Sequence, residues 1–190
     1  MKKEYSKYIK SKLKEIIPKE FPCFVFLDEQ KKYGLHYNFL CNKGDNLKMI
    51  SIQNSQDENA FMVELFWSNN GEKFQNDLTH FWFENDENIL EKICNEAGNS
   101  LRVELPIFYA RDFGSWWAID PTGKIRNSIE EHGFITSDAY FQFYSEDSFL
   151  SDEKDLSEEE IKKYIDPLID NVIELLKKYA MPLFQCMDNK

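Results

Sequence analysis

Apolar residues recur every three or four positions at both ends of the chain and every second position through much of its middle. Near the start, Tyr5, Ile9, Leu13 and Ile16/Ile17 are spaced by Lys and Glu, which predicts a helix over 3–17. Pro18 should close it, because a proline ring disfavours the α conformation at the preceding residue. Near the end, Ile161, Ile165, Leu168, Ile169, Val172, Ile173, Leu176 and Tyr179 form a broad apolar face. Ser157-Glu158-Glu159-Glu160 precedes it as a capping box, in which hydroxyl and third-position carboxylate satisfy free amides reciprocally. Those acids also suit the positive end of the helix dipole. Pro167 should kink or split this helix and Pro182 should end it. A shorter helix is expected over 86–97, closed by Gly98.

Between the helices the period falls to two. Tyr33, Leu35, Tyr37, Phe39 and Cys41 alternate with polar positions, His36 among them, before the turn Asn42-Lys43-Gly44-Asp45. Strands follow at 47–54 and 60–68, joined by the polar loop Asn54 to Asn59 as a hairpin. Phe61, Val63, Leu65 and Trp67 share one face, and alternation turns Glu64 toward water. Leu101, Val103, Leu105 and Ile107 predict another strand, with Pro106 marking an edge or an end. Segments 21–29, 115–120 and 138–144 are further strand candidates, and 74–83 fits neither period. The expectation is a single α+β domain over 1–190. One antiparallel sheet of about five to seven strands should be covered on one face by the N- and C-terminal helices. Tyr5, Ile9 and Leu13 must then be buried with Ile165, Ile169, Val172 and Ile173 against Phe61, Val63 and Leu65.

Composition makes such a core affordable. The 190 residues are 42% apolar, and 16 Phe, 9 Tyr and 4 Trp bring enough buried area to need no disulfide or metal staple. The net charge is −11 and uneven: residues 1–20 carry seven lysines against three acids, while 145–166 carry nine acids against three lysines. So acidic a surface repels phosphate backbones, which argues against general nucleic-acid binding and leaves solubility or a basic protein partner. The lysines of the first helix read as a solvated face opposite its core stripe. No run approaches the roughly 18 apolar residues of a membrane span, and the N-terminus lacks the apolar stretch of a signal peptide. A cytoplasmic protein is expected.

No motif announces a chemistry. His36, His80 and His132 have no second His or Cys one helical turn away, so no metal is expected. No phosphate loop, dinucleotide fingerprint or serine elbow occurs, so neither a cofactor nor a catalytic residue is predicted. Cys23, Cys41, Cys94 and Cys186 sit in apolar surroundings without a C-x-x-C, and read as four reduced, mostly buried thiols. Three places could bind. Glu64 interrupts an apolar strand. Arg111-Asp112-Phe113-Gly114-Ser115-Trp116-Trp117 joins two Trp to an Arg around a glycine, the residue types that dominate binding hot spots. One of those Trp could equally fill the core. The third is the acidic stretch holding Asp152, Glu153 and Asp155, expected as an exposed loop leading into the capped helix and more mobile than the sheet.

Several segments, in order, resemble a bacterial family known as domain of unknown function 4304. They are Ile50-Ser51-Ile52-Gln53-Asn54-Ser55, the apolar strand Phe61 to Phe66, Trp116-Trp117-Ala118-Ile119, and the helix end Tyr179-Ala180-Met181-Pro182-Leu183-Phe184. They match its I-x-I-Q-x-S strand, W-W-x-I segment and proline-containing closing helix. The acidic stretch at 145–160 departs from its pattern. The resemblance implies an α+β fold and a bacterial or phage source, and brings no catalytic residue with it. The expected function is a non-enzymatic acidic interaction protein of the immunity or inhibitor kind, bound to a basic partner. The alternative is a small-molecule binding protein or an enzyme with a spatially assembled acidic site, lined by Arg111, Trp116 and Trp117 with Glu64 or Asp112 as acid or base.

Overall fold

A computed structural model describes residues 1–27, 36–55, 59–69, 88–105, 116–121 and 155–190. The expected strand at 138–144, the segment 74–83, His80, His132, Arg111, Asp112, Asp152 and Glu153 lie outside the described residues.

Helix α1 spans Lys3–Glu20. Strands β1 Val25–Phe26, β2 His36–Lys43, β3 Asn46–Asn54 and β4 Ala60–Ser68 follow. Then come α2 Ile89–Glu96, β5 Ser100–Leu105 and β6 Trp117–Ala118. Helix α3 Glu158–Leu175 passes through a π-helical turn, Leu176–Ala180, into α4 Met181–Asp188. The strands form one antiparallel sheet in the order β1-β2-β3-β4-β5, and β6 pairs with β4 beyond β5. The α+β class and the antiparallel sheet with terminal helices are therefore as the periodicity predicts.

The β2–β3 hairpin turns on Gly44 and Asp45, and Gly44 holds φ of 63°, a conformation glycine adopts without steric cost. Its register sets Tyr37 against Ile52 and Phe39 against Ile50, and β4 continues with Val63 opposite Ile52 and Leu65 opposite Ile50. The apolar faces of the strands thus merge, and Tyr5, Ile9, Leu13, Ile165, Ile169, Val172 and Ile173 join them in one buried cluster. Fully burying such side chains contributes about 1.5–3 kcal/mol each before ordering costs.

Polar ties fix the helices on this face. Tyr37 Oη donates to Asn54 Oδ1 at 2.7 Å, and Asn54 Nδ2 donates to Ser6 Oγ of α1 at 2.8 Å. Lys48 pairs with Asp188 at the end of α4, and Trp67 Nε1 donates to the same carboxylate at 3.3 Å. Ion pairs also join α1 to the C-terminal run: Lys12 of α1 lies 3.8 Å from Asp166 of α3, and Glu20 of α1 pairs with Lys177 of the π turn at 2.5 Å. Tyr8 Oη also donates to Asp166, at 2.7 Å.

The helix ends depart from expectation at two prolines. Helix α1 runs past Pro18 to Glu20, since that proline falls in the last turn and the amide of Phe21 still reaches the Ile17 carbonyl at 2.8 Å. Pro182 does not end the C-terminal run. The wide turn at 176–180 ends one helix and begins another, which seats Pro182 in a first turn, where no amide is required. Pro167 sits inside α3. The cap is as read: Glu160 N donates to Ser157 Oγ at 3.3 Å and Ser157 N to Glu160 Oε2 at 2.8 Å.

The four-thiol reading needs correction. Cys94 and Cys186 form a disulfide that joins α2 to α4, and Cys23 is exposed rather than buried. Those cysteines lie 92 positions apart; their apolar context marked burial and said nothing of their meeting.

Candidate functional site

The sheet's second face, turned away from the described helices, carries a polar row. Four positions align across four strands: Asn38 of β2 opposite Ser51 of β3, Ser51 opposite Glu64 of β4, and Glu64 opposite Glu104 of β5. The adjacent row is apolar but for one residue, running Leu40, Met49, Phe66 and Arg102. Directly opposed side chains in an antiparallel pair have Cβ atoms about 4.5–5.5 Å apart. The register therefore forces two carboxyl groups together in the middle of the face.

Glu64 is the deepest member, 2% exposed. Water does not reach it, contrary to the simple alternation. Its strand is internal, and Phe66 and Arg102 flank it on the same face. Arg102 lies over the Phe66 ring, 5.4 Å from its centroid, and turns its guanidinium diagonally onto Glu64. Nε donates to Glu64 Oε1 at 2.7 Å and Nη2 reaches the same oxygen. A buried carboxylate without such a partner would be strongly destabilising.

Glu104 is different. It is half-buried, and among the described residues it makes no salt bridge. Burial and then the neighbouring Glu64 charge push its carboxyl up to about 7, only partly offset by Arg102. His36, at the end of β2, is drawn below its ordinary value by burial, against the pull of Glu64 and with the push of Arg102. Asn38 Oδ1 is a buried acceptor with no hydrogen-bond partner. Among the described residues the face thus holds acceptors in excess: a paired carboxylate, a half-protonated carboxyl and a bare amide oxygen, against a single guanidinium. Such a site suits a cationic donor. Among the described residues, no three of His, Cys, Asp and Glu are grouped to hold a metal ion.

The other predicted residues separate. Trp117 is fully buried in β6, stacked on Phe61 at 5.7 Å with its Nε1 donating to Asn171 of α3 at 2.9 Å. It fills the core, the packing role open to one of the pair, while Trp116 beside it is half-buried. Asp155 is exposed ahead of α3 and lies 3.1 Å from Lys2 Nζ, so one acid of the expected docking stretch meets a lysine of the chain itself. The structure brings neither Trp117 nor Asp155 to Glu64. What it does bring there, Arg102, Glu104, Asn38 and Ser51, the sequence reading passed over. Arg102 and Glu104 occupy the polar positions of an alternating strand, where solvent exposure is the ordinary outcome. Only the inter-strand register, joining positions about 40 apart, reveals the pair.

No protein-family model, curated protein or solved structure matches this chain. No described helix is long and apolar enough to cross a membrane.

Proposed function

We propose that this protein is a non-enzymatic acidic interaction protein, of the immunity or inhibitor kind, that binds a basic protein partner in the cytoplasm. Glu104, the partly exposed member of the row, would receive one basic side chain of that partner, with the Arg102–Glu64 pair beneath it. The observation that carries this reading is the opposition of two carboxyl groups across β4 and β5 with one arginine between them. A cation arriving beside Glu104 supplies the missing charge and displaces a proton from a carboxyl held at about 7. The net charge of −11 would speed the approach of a basic partner and make it salt-dependent. Membership of the domain of unknown function 4304 family belongs to the same proposal. It rests on the motif residues, of which Ile50, Ile52, Phe61 and Trp117 are buried.

A second reading is favoured by Glu104 itself. A carboxyl poised near neutrality beside a salt-bridged one is the arrangement of an acid–base pair, so a small cationic molecule could be bound or transformed there. An oligo-arginine peptide and the single compound argininamide separate the two. Association followed by NMR should show the peptide binding at Glu104, weakening with salt and weakening again in Glu104→Gln. Argininamide binding as tightly as the peptide would favour the small-molecule reading. Neither ligand perturbing Glu104 would remove the site from both. Neutralising Asp152, Glu153 and Asp155 together tests the acidic stretch separately: if it guides the partner in, peptide association slows and its salt dependence flattens.

A further inference from the structure

Two thiols remain outside this account. Cys23 lies in the turn that follows α1, where the amide of Phe24 closes onto the Phe21 carbonyl at 2.9 Å. It is exposed. Cys41 lies on β2, buried on the core face. The pairing of β1 with β2 sets Val25 opposite Leu40, so the turn just before Val25 runs beside the strand just after Leu40. The two thiols are thereby neighbours, close enough for Cys23 to act on the Cys41 proton, and neither is joined to another sulfur. Lys48 stands directly opposite Cys41 on β3 and favours loss of its proton, while Asp188, ion-paired with Lys48, opposes it.

We propose that Cys23 and Cys41 are a redox-active dithiol, a site at which a low-molecular-weight disulfide of the glutathione type is reduced while a second intramolecular disulfide joins the α1–β1 turn to β2. The two sulfurs have different parts. Cys23 is the one that a soluble reagent reaches. Cys41 is shielded, and burial, together with the adjoining Cys23, pushes its thiol up to about 12, so it does not react first. The Cys23 thiolate attacks one sulfur of the reagent. The reagent's S–S bond breaks, one thiolate leaves and takes up the proton Cys23 lost, and a mixed disulfide remains on Cys23. That step removes the Cys23 thiol, one of the groups holding the Cys41 proton on, while Lys48 stays. Cys41 then gives up its proton and attacks the Cys23 sulfur, and the second thiolate leaves and is protonated. Two protein thiols are oxidised and one external disulfide is reduced to two thiols. The site is independent of the acidic row on the sheet's other face.

The test uses full-length wild-type protein in buffers of oxidised and reduced glutathione, quenched with acid, alkylated and mapped by peptide mass. The expected product joins Cys23 to Cys41, with both thiols lost together and both recovered by dithiothreitol. Cys41→Ser should accumulate glutathione on Cys23, and Cys23→Ser should leave Cys41 unmodified. Far-UV circular dichroism checks both variants, and the wild-type map decides alone if either fails to fold. Glutathione persisting on Cys23 beside a free Cys41 would overturn the proposal. So would two thiols that never react, or Cys41 reacting as fast without Cys23 as with it.

Discussion

Replacing Glu104 with glutamine should stabilise the protein at alkaline pH and leave it unchanged in acid. In the folded chain this carboxyl titrates at about 7 instead of its ordinary 4.5. Below 4.5 it is protonated in both folded and unfolded chains and costs nothing. As pH rises through 4.5 the unfolded chain ionises freely while the folded one keeps its proton. The folded state then binds more protons, so stability falls with pH until the folded group also ionises near 7, and above that the loss is complete. The full difference corresponds to a ceiling of roughly 3.4 kcal/mol. Glu104 is only half-buried, and solvent screening brings the expected effect to about 1–2 kcal/mol. For a chain of this length that is roughly 4 °C in Tm. Thermal unfolding by circular dichroism, for wild type and Glu104→Gln in parallel from pH 4.5 to 8, isolates the group, because every other carboxylate is common to both proteins. The variant should match wild type at pH 4.5 and exceed it by that margin at pH 8. A difference that does not change with pH, or a variant that falls below wild type as pH rises, would refute the reasoning about the Glu64–Glu104 opposition.

Other outcomes follow from the same geometry. Arg102→Met strands the buried Glu64 and should cost about 3–5 kcal/mol in chemical denaturation, most of it regained when Glu64→Leu is added. Unfolded protein kept from oxidants should show two titratable thiols, Cys23 and Cys41, where four reduced cysteines would give twice as many. Ser157→Ala removes half of the capping box and should lower stability by about 1 kcal/mol.

The core was legible because burial here follows period. Phe61, Val63, Leu65 and Trp67 on β4, and Ile161 to Ile173 on α3, occupy the positions that spacing assigns them. Strand and helix ends were less so: β1 keeps only Val25 and Phe26, and a π turn near Pro182 overrides a rule that holds for uninterrupted α-helix. The acidic row was hidden for a different reason. Glu64 stood out, but alternation sends such a residue to water, and neither its burial nor its pairing with Arg102 of another strand is written in its local sequence. Register between β4 and β5 is a tertiary quantity, as is the meeting of Cys94 with Cys186. A short polar alternation such as Ser100, Arg102, Glu104 reads the same whether its face is open or holds a paired carboxylate.

Calorimetry of proton release tests the central claim most directly. An oligo-arginine peptide is titrated into the protein at pH 7 in two buffers of different ionisation enthalpy. With Glu104 at about 7, binding at the row should release about half a proton, and Glu104→Gln should release none and bind more weakly. Binding that releases no proton, or that is unchanged in Glu104→Gln, would contradict the assignment of this face as the partner's site.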